Sequence, residues 1–105
     1  MTTAVDPVLA RFRAALAETY GAQVERVILF GSRARGDAGV DSDYDLAVFL
    51  KEPQSFWLES GRLAEIETKI LYDTGAVINA LPFAAGAYDA STPLMHEVRR
   101  DGLEL

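Results

Sequence analysis

The stretch from Val27 to Leu50 restricts this chain more than any other. An apolar run, Val27-Ile28-Leu29-Phe30, stops at Gly31-Ser32. A polar, glycine-bearing connection with two arginines, Arg33 and Arg35, follows, and the chain re-enters apolar sequence through Asp43-Tyr44-Asp45 into Leu46-Ala47-Val48-Phe49-Leu50. The two apolar runs read as strands, 24–30 and 43–50, the first covered on both faces near its end. Residues 31–42 make too long a link for a tight hairpin. Ser32 to Arg35 is expected to form a helical turn closed by Gly36. Alternation along the second strand puts Asp43, Asp45, Ala47 and Phe49 on one face and Tyr44, Leu46, Val48 and Leu50 on the other. The second set is uninterruptedly apolar and should face the core, leaving two carboxylates on the opposite face, roughly 6.5–7 Å apart at Cα.

The remaining elements read as support for that pair of strands. Asp6-Pro7 is a helix start, with Asp as N-cap and Pro at the first helical position. Val8, Leu9, Phe12, Ala15, Leu16 and Tyr20 then recur at helical spacing up to Gly21, predicting an amphipathic helix over 7–20. Ser55 caps a second helix, predicted over 55–73 and stopped by Gly75. Its expected apolar stripe is Phe56, Leu58 or Gly61, Leu63, Ile66, Ile70 and Leu71, with Glu59, Arg62, Glu65, Glu67 and Lys69 on the polar side. Residues 76–81 read as a short third strand ended by Pro82. Residues 83–91 read as loop with a helical turn, and Thr92-Pro93 opens a last helix running to about Asp101. The order helix, strand, turn, strand, helix, strand, helix predicts a small α/β (α+β) fold, a sheet of three or more strands with helices mainly on one face. The face carrying Asp43 and Asp45 is then the less covered one.

Length and composition narrow the function. The 105 residues, half of them hydrophobic and a quarter charged, suit one folded domain over 1–105 and exclude a disordered chain. The net charge of −6 opposes broad capture of nucleic acid, which depends on Lys and Arg meeting phosphates, so no stable nucleic-acid binding is expected. With no cysteine, disulfides and thiolate metal sites are ruled out. Met1 to Asp6 contain neither a basic nor an apolar leader segment, and no apolar run approaches the roughly 20 residues that span a bilayer. A cytoplasmic location without membrane attachment is the expectation.

The chemistry sits at the Gly-Ser turn and the paired aspartates. Two carboxylates on one strand face can converge on hard divalent ions, which lie about 3.5–4 Å apart in two-metal sites. Mg²⁺ is held by one or two carboxylates together with substrate phosphates. Gly31 lets the backbone approach a phosphate, Ser32 offers its N–H and hydroxyl, and Arg33 is the arginine favoured as a phosphate ligand, with Arg35 evenly balanced between phosphate and a salt bridge to Asp37 or Asp41. Asp-x-Asp alone is common at strand starts and Gly-Ser alone is an ordinary turn; the two in this order are far more specific. Asp37 and Asp41 read as solvated turn residues. His96 reads as a surface or partly packed residue of the last helix rather than a catalyst, and Glu97, Arg99, Arg100 and Asp101 read as its solvated face. Phe56-Trp57 is either core or an exposed aromatic anchor for a partner.

The string Phe-Gly-Ser-Arg-Ala-Arg-Gly-Asp, followed by Asp-Ser-Asp-Tyr-Asp-Leu, resembles the signature of the DNA polymerase β-like nucleotidyltransferases, and most closely their minimal (MNT) members of the antitoxin type. The resemblance implies that Gly31, Ser32 and Arg33 bind the phosphates of ATP and that Asp43 and Asp45 are catalytic, binding two Mg²⁺. It further implies transfer of AMP to a hydroxyl with loss of pyrophosphate, and a HEPN-type toxin as protein partner in a hetero-oligomer. Active members carry a third carboxylate on the third strand. Here that strand reads Ala76-Val77-Ile78-Asn79-Ala80-Leu81, with Asn79 expected at the corresponding place and unable to accept a proton. Asp73, just before the strand, is a weaker substitute. Two other readings stay open: a catalytically silent module that neutralises a partner by contact, and a site completed by another chain.

Overall fold

The computed structural model describes residues 6–39 and 41–105; residues 1–5, which carry the reading of a missing leader, and Val40, inside the expected connection, lie outside them. Helix α1 (Pro7–Tyr20) starts where Asp6 accepts hydrogen bonds from the amides of Val8 (2.8 Å) and Leu9 (3.3 Å), satisfying donors that the first turn leaves free. The other oxygen of Asp6 accepts the Tyr44 hydroxyl (3.0 Å), so the cap also fixes the helix to the start of the second strand. Strand β1 (Val24–Phe30) leads into the one-turn helix α2 (Ser32–Arg35), then strand β2 (Tyr44–Leu50). Helix α3 (Phe56–Thr74) starts at Ser55, whose hydroxyl accepts from the Leu58 amide, and stops at Gly75. Strand β3 (Ile78–Ala84), helix α4 (Pro93–Asp101) and a two-residue strand β4 (Leu103–Glu104) complete the chain.

The sheet order is β3-β2-β1-β4. β1 runs antiparallel to β2 and to β4, whereas β2 and β3 are parallel, joined by the α3 crossover. On one face α1 and α3 bury Leu9, Phe12, Leu16, Leu63, Ile66 and Ile70 against Val27, Leu29, Tyr44, Leu46, Val48 and Leu50, as the alternation of β2 predicts. The opposite face is only partly open. Met95 and Val98 of α4, with Phe83 and Tyr88, cover Ile28, Phe30, Ala47 and Phe49. The two long helices thus share a face as expected, and α4 covers the lower part of the other.

Three local expectations are corrected. Pro82 does not end β3, which continues to Ala84; as an edge strand it can accommodate a residue without an N–H. The buried stripe of α3 is Glu59, Leu63, Ile66 and Ile70, while Phe56, Leu58 and Leu71 are exposed. Glu59 can head that stripe because its carboxylate accepts from the Tyr20 hydroxyl (3.0 Å), the Gln54 amide (3.0 Å) and Arg62 (3.4 Å). Arg99 is not a solvated residue: its guanidinium donates to the carbonyls of Tyr88 and Ala90, tying α4 to the segment before it. Trp57 is 81 % exposed beside Phe56, so that aromatic pair is surface. Among the described residues no helix is long and apolar enough to cross a membrane.

Candidate active site at the Gly31–Asp45 contact

The register of β1 against β2 places Phe30 opposite Asp45, so the chain turns at Gly31 directly over that carboxylate. Gly31 has φ 77° and ψ −159°, a conformation essentially confined to glycine, and a Cβ there would run into Asp45 Oδ2. Both properties demand glycine. Ser32, half-buried, follows as the first residue of α2, whose turn is closed by bonds from the Ala34 and Arg35 amides to the Gly31 carbonyl (3.1 Å each).

Asp45 shares its sheet face with Ala47 and Phe49, as the period of two dictates, and is half-buried where Asp43 is exposed at the mouth. Across the parallel ladder Asp45 pairs with Asn79 of β3. The Asn79 side-chain amide donates to Asp43 Oδ2 (3.0 Å) and lies close enough to Asp45 to favour its charged form. The residue in place of a third acid therefore touches the aspartate pair. Burial pushes the Asp45 carboxyl above its ordinary range; the Asn79 hydrogen bond opposes this, the negative charges of Asp43 and Glu97 add to it, and Arg35 opposes it. A cation between the two aspartates would reverse the repulsion. Asp43, Asp45 and the Asn79 amide offer hard oxygen donors suited to Mg²⁺, but among the described residues no three His, Cys, Asp or Glu side chains converge as a complete ligand set. Substrate phosphates and water would have to complete the coordination.

The two arginines separate. The Arg33 guanidinium lies 3.9 Å above the Tyr44 ring and its Nε donates to the Ser42 carbonyl (2.9 Å), on the side of the sheet facing α1. Arg35 projects to the Asp45 side, where it meets Asp37 (3.3 Å) and Glu97 of α4 (3.7 Å). The sequence favoured Arg33 as the phosphate ligand and read Glu97 as solvated surface. No one-dimensional signal connects residue 97 to residue 35, because the packing of Met95 and Val98 on the sheet sets the phase of α4. Asp73 is engaged elsewhere: it bridges Arg11 (2.6 Å), joining α3 to α1. Asp37, Asp41 and His96 are exposed.

Comparison with known proteins agrees with this architecture. The family profile described as nucleotidyltransferase domain matches residues 9–86. A curated relative from Methanocaldococcus jannaschii, named "Putative protein adenylyltransferase MJ0604", is 32 % identical over 76 residues, which are 72 % of this chain and 70 % of the relative. A solved structure described as a "putative minimal nucleotidyltransferase" superposes with a TM-score of 0.60 at 27 % identity, covering 91 % of this chain and 90 % of the other. A complex described as tri-AMPylated Shewanella oneidensis HEPN toxin with MNT antitoxin gives 0.56 at 16 % identity, covering 92 % and 70 %, a likeness of fold. By sequence profile, by its relative and by the Gly-Ser and Asp-x-Asp pair assembled at one end of the sheet, the chain belongs to the nucleotidyltransferase domain family, in its minimal (MNT) form.

Proposed function

We propose that the chain binds Mg-ATP at the Gly31–Asp45 mouth and transfers AMP to a hydroxyl of a partner protein, with a HEPN-type toxin as the partner. The observation that carries this is the seating of Gly31 on Asp45 with Asp43 beside it, which puts a phosphate-accessible backbone next to two metal-binding carboxylates. The S. oneidensis complex of an AMPylated HEPN toxin with an MNT antitoxin supports the choice of partner, and the M. jannaschii relative, named a putative protein adenylyltransferase, supports the kind of transfer.

Asp43 and Asp45 would hold two Mg²⁺, Gly31 and Ser32 would bind the phosphates through backbone N–H and hydroxyl, and Asn79 would orient Asp43. Mg²⁺, when bound, neutralises the triphosphate and polarises its phosphoryl oxygens. The acceptor hydroxyl oxygen forms a bond to the α-phosphorus, the bond from that phosphorus to the bridging oxygen breaks, and pyrophosphate leaves. The hydroxyl proton passes to water or to a group of the partner, since Asn79 cannot take it. General-base assistance is worth typically 10²–10⁴-fold, so transfer by this chain alone is slow.

The same Asn79 favours a second reading, in which the chain binds nucleotide and neutralises its partner by contact without turnover. The experiment is incubation with labelled ATP, Mg²⁺ and the co-expressed product of the neighbouring gene. Label on that protein, lost in Asp43→Asn and Asp45→Asn, supports transfer. Mg-ATP binding and a stable complex without label support the silent module, and absence of both label and nucleotide binding refutes the nucleotide reading altogether.

A further inference from the structure

We infer that the outer crest of α3 is a contact surface for a second copy of this chain, the two helices pairing antiparallel about Ala64. The surface lies outside the candidate nucleotide site and does not rest on the reading of that site.

The charged side chains of α3 lean to its flanks. Arg62, Glu65 and Lys69 line the groove toward α1, and Glu67 turns to the Ala80 amide of β3. Farthest from the core, at steps of four, three, four and three residues, stand Trp57, Gly61, Ala64, Thr68 and Leu71, with Tyr72 beside the last. That spacing is the seam along which one helix meets another. The solvent side of an amphipathic helix ordinarily carries its charge, yet this crest is uncharged in a chain a quarter of whose residues are charged. Trp57 (81 %) and Tyr72 (83 %) are, among the described residues, the two most exposed large hydrophobic side chains, and both sit on it. Gly61 occupies a helix interior, where glycine is costly, although a Cβ there would meet nothing within 4 Å. No packing inside the described chain calls for a glycine at that point.

The order of sizes names the occupant. Large residues end the crest and small ones fill its middle, so it reads nearly alike in both directions. Turned end for end about a two-fold axis at Ala64, a second α3 sets its Leu71 and Tyr72 against Trp57, its Thr68 against Gly61 and its Ala64 against Ala64. This is a self-complementary contact of the kind a two-fold dimer needs. The small residues let the helix axes approach to about 8 Å, and two Trp57–Tyr72 pairs close the ends of a seam about 22 Å long. An unrelated helix would impose no such mirrored order. On the α1 flank the two Glu65 side chains approach one another near the axis, and each has Lys69 of its own helix and Arg62 of the second copy beside it to offset the repulsion. At about 150–250 Å² a ring, the exposed parts of the four aromatics bring about 500–800 Å² to the contact. Leu71 and the small residues of both copies carry it toward the roughly 1,200 Å² at which stable specific interfaces begin, so the dimer is a reversible one with Kd of micromolar order.

Because the chain has no cysteine, introduced cysteines report the register directly. In sedimentation equilibrium the wild type should rise from 11.4 kDa toward twice that mass as concentration is raised from about 1 to 500 µM. With an added oxidant, Ala64→Cys should form a disulfide-linked dimer roughly tenfold faster than Trp57→Cys, since only residue 64 meets itself across the axis. A mixture of Gly61→Cys and Thr68→Cys should cross-link faster than either variant alone. Ala64→Lys sets like charges against one another at the axis and should weaken dimerisation roughly tenfold or more, with Tm unchanged because the position is exposed. A wild type that stays at the monomer mass throughout that range overturns the proposal, as does a dimer that survives both Ala64→Lys and Trp57→Ala. Equal cross-linking through residues 57 and 64 overturns the antiparallel register. A monomeric wild type that holds a different protein through Trp57 overturns the second copy as occupant.

Discussion

Substituting Gly31 by Ala separates two demands that the turn places on one residue. The backbone at φ 77° and ψ −159° lies in a region that L-residues occupy at a cost of order 1–3 kcal/mol. The new Cβ also meets the Asp45 carboxylate, which must rotate away or push α2 outward. Gly36 supplies the internal control. It too has positive φ (85°), but in the left-handed helical region, and a Cβ there meets nothing within 4 Å. Gly36→Ala should therefore cost about 1 kcal/mol of strain, offset by the roughly 0.4–1 kcal/mol that removing a glycine takes from the freedom of the unfolded chain. Gly31→Ala has the same offset but adds the harsher backbone region and the displaced carboxylate, for a net loss of about 2–3 kcal/mol. At about 4–8 °C per kcal/mol for a domain near this size, its Tm should fall by roughly 10–20 °C, against a few degrees for Gly36→Ala. Thermal unfolding followed by circular dichroism gives that difference. Mg-ATP titration of the folded variants gives the second, because only Gly31→Ala moves the Asp45 carboxylate, the proposed metal ligand. Equal Tm losses and equal binding in the two variants would refute the claim that the turn is built around Asp45.

Two further perturbations test the supporting structure. Glu59→Ala strands the buried Tyr20 hydroxyl and removes the acceptor of the Gln54 amide, and should cost about 1–3 kcal/mol in urea unfolding, with Glu59→Gln closer to wild type because it keeps an acceptor. Glu67 is half-buried; burial raises its pKa and the Ala80 N–H it accepts (2.9 Å) opposes that rise, so the folded chain holds the Glu67 proton more tightly than the unfolded chain does. Its ionised form is thus a cost to folding that is present above the raised pKa and disappears as pH falls below the ordinary glutamate range. Glu67→Gln should raise Tm slightly at pH 7, with the gain vanishing by about pH 4, and a gain that grows on acidification would contradict the sign.

What the sequence disclosed depended on the range of the interactions. The caps at Asp6, Ser55 and Thr92 were legible because a cap is written within four residues, and the faces of β2 because a period of two is local. The Gly-Ser and Asp-x-Asp pairing was legible as a pattern, and the β1–β2 register turned it into a contact. Phase errors arose where the answer lay in another element. The stripe of α3 is displaced from its most hydrophobic reading because Tyr20, thirty-nine residues away, satisfies Glu59, a partner no helical wheel contains. β4 was missed because two residues have no period; Leu103 and Glu104 are a strand only because Leu29 and Ile28 offer an edge.

The arginines show the same limit at the site itself. By type and distance from Gly31 the two are nearly equivalent, and proximity favours Arg33. What separates them in space is that α2 is a helical turn, so its rotation sends one side chain to each face of the sheet. Tyr44 at the first position of β2 then offers Arg33 an aromatic surface on one face, while Asp45, the next residue, lies on the other. The alternation that hides Tyr44 in the core and exposes Asp45 to the mouth therefore also sends the two arginines to opposite faces of the sheet, Arg33 onto Tyr44 and Arg35 to the Asp45 side. In this turn the separation of the two side chains follows from two periodicities, 3.6 and 2, meeting across a single glycine.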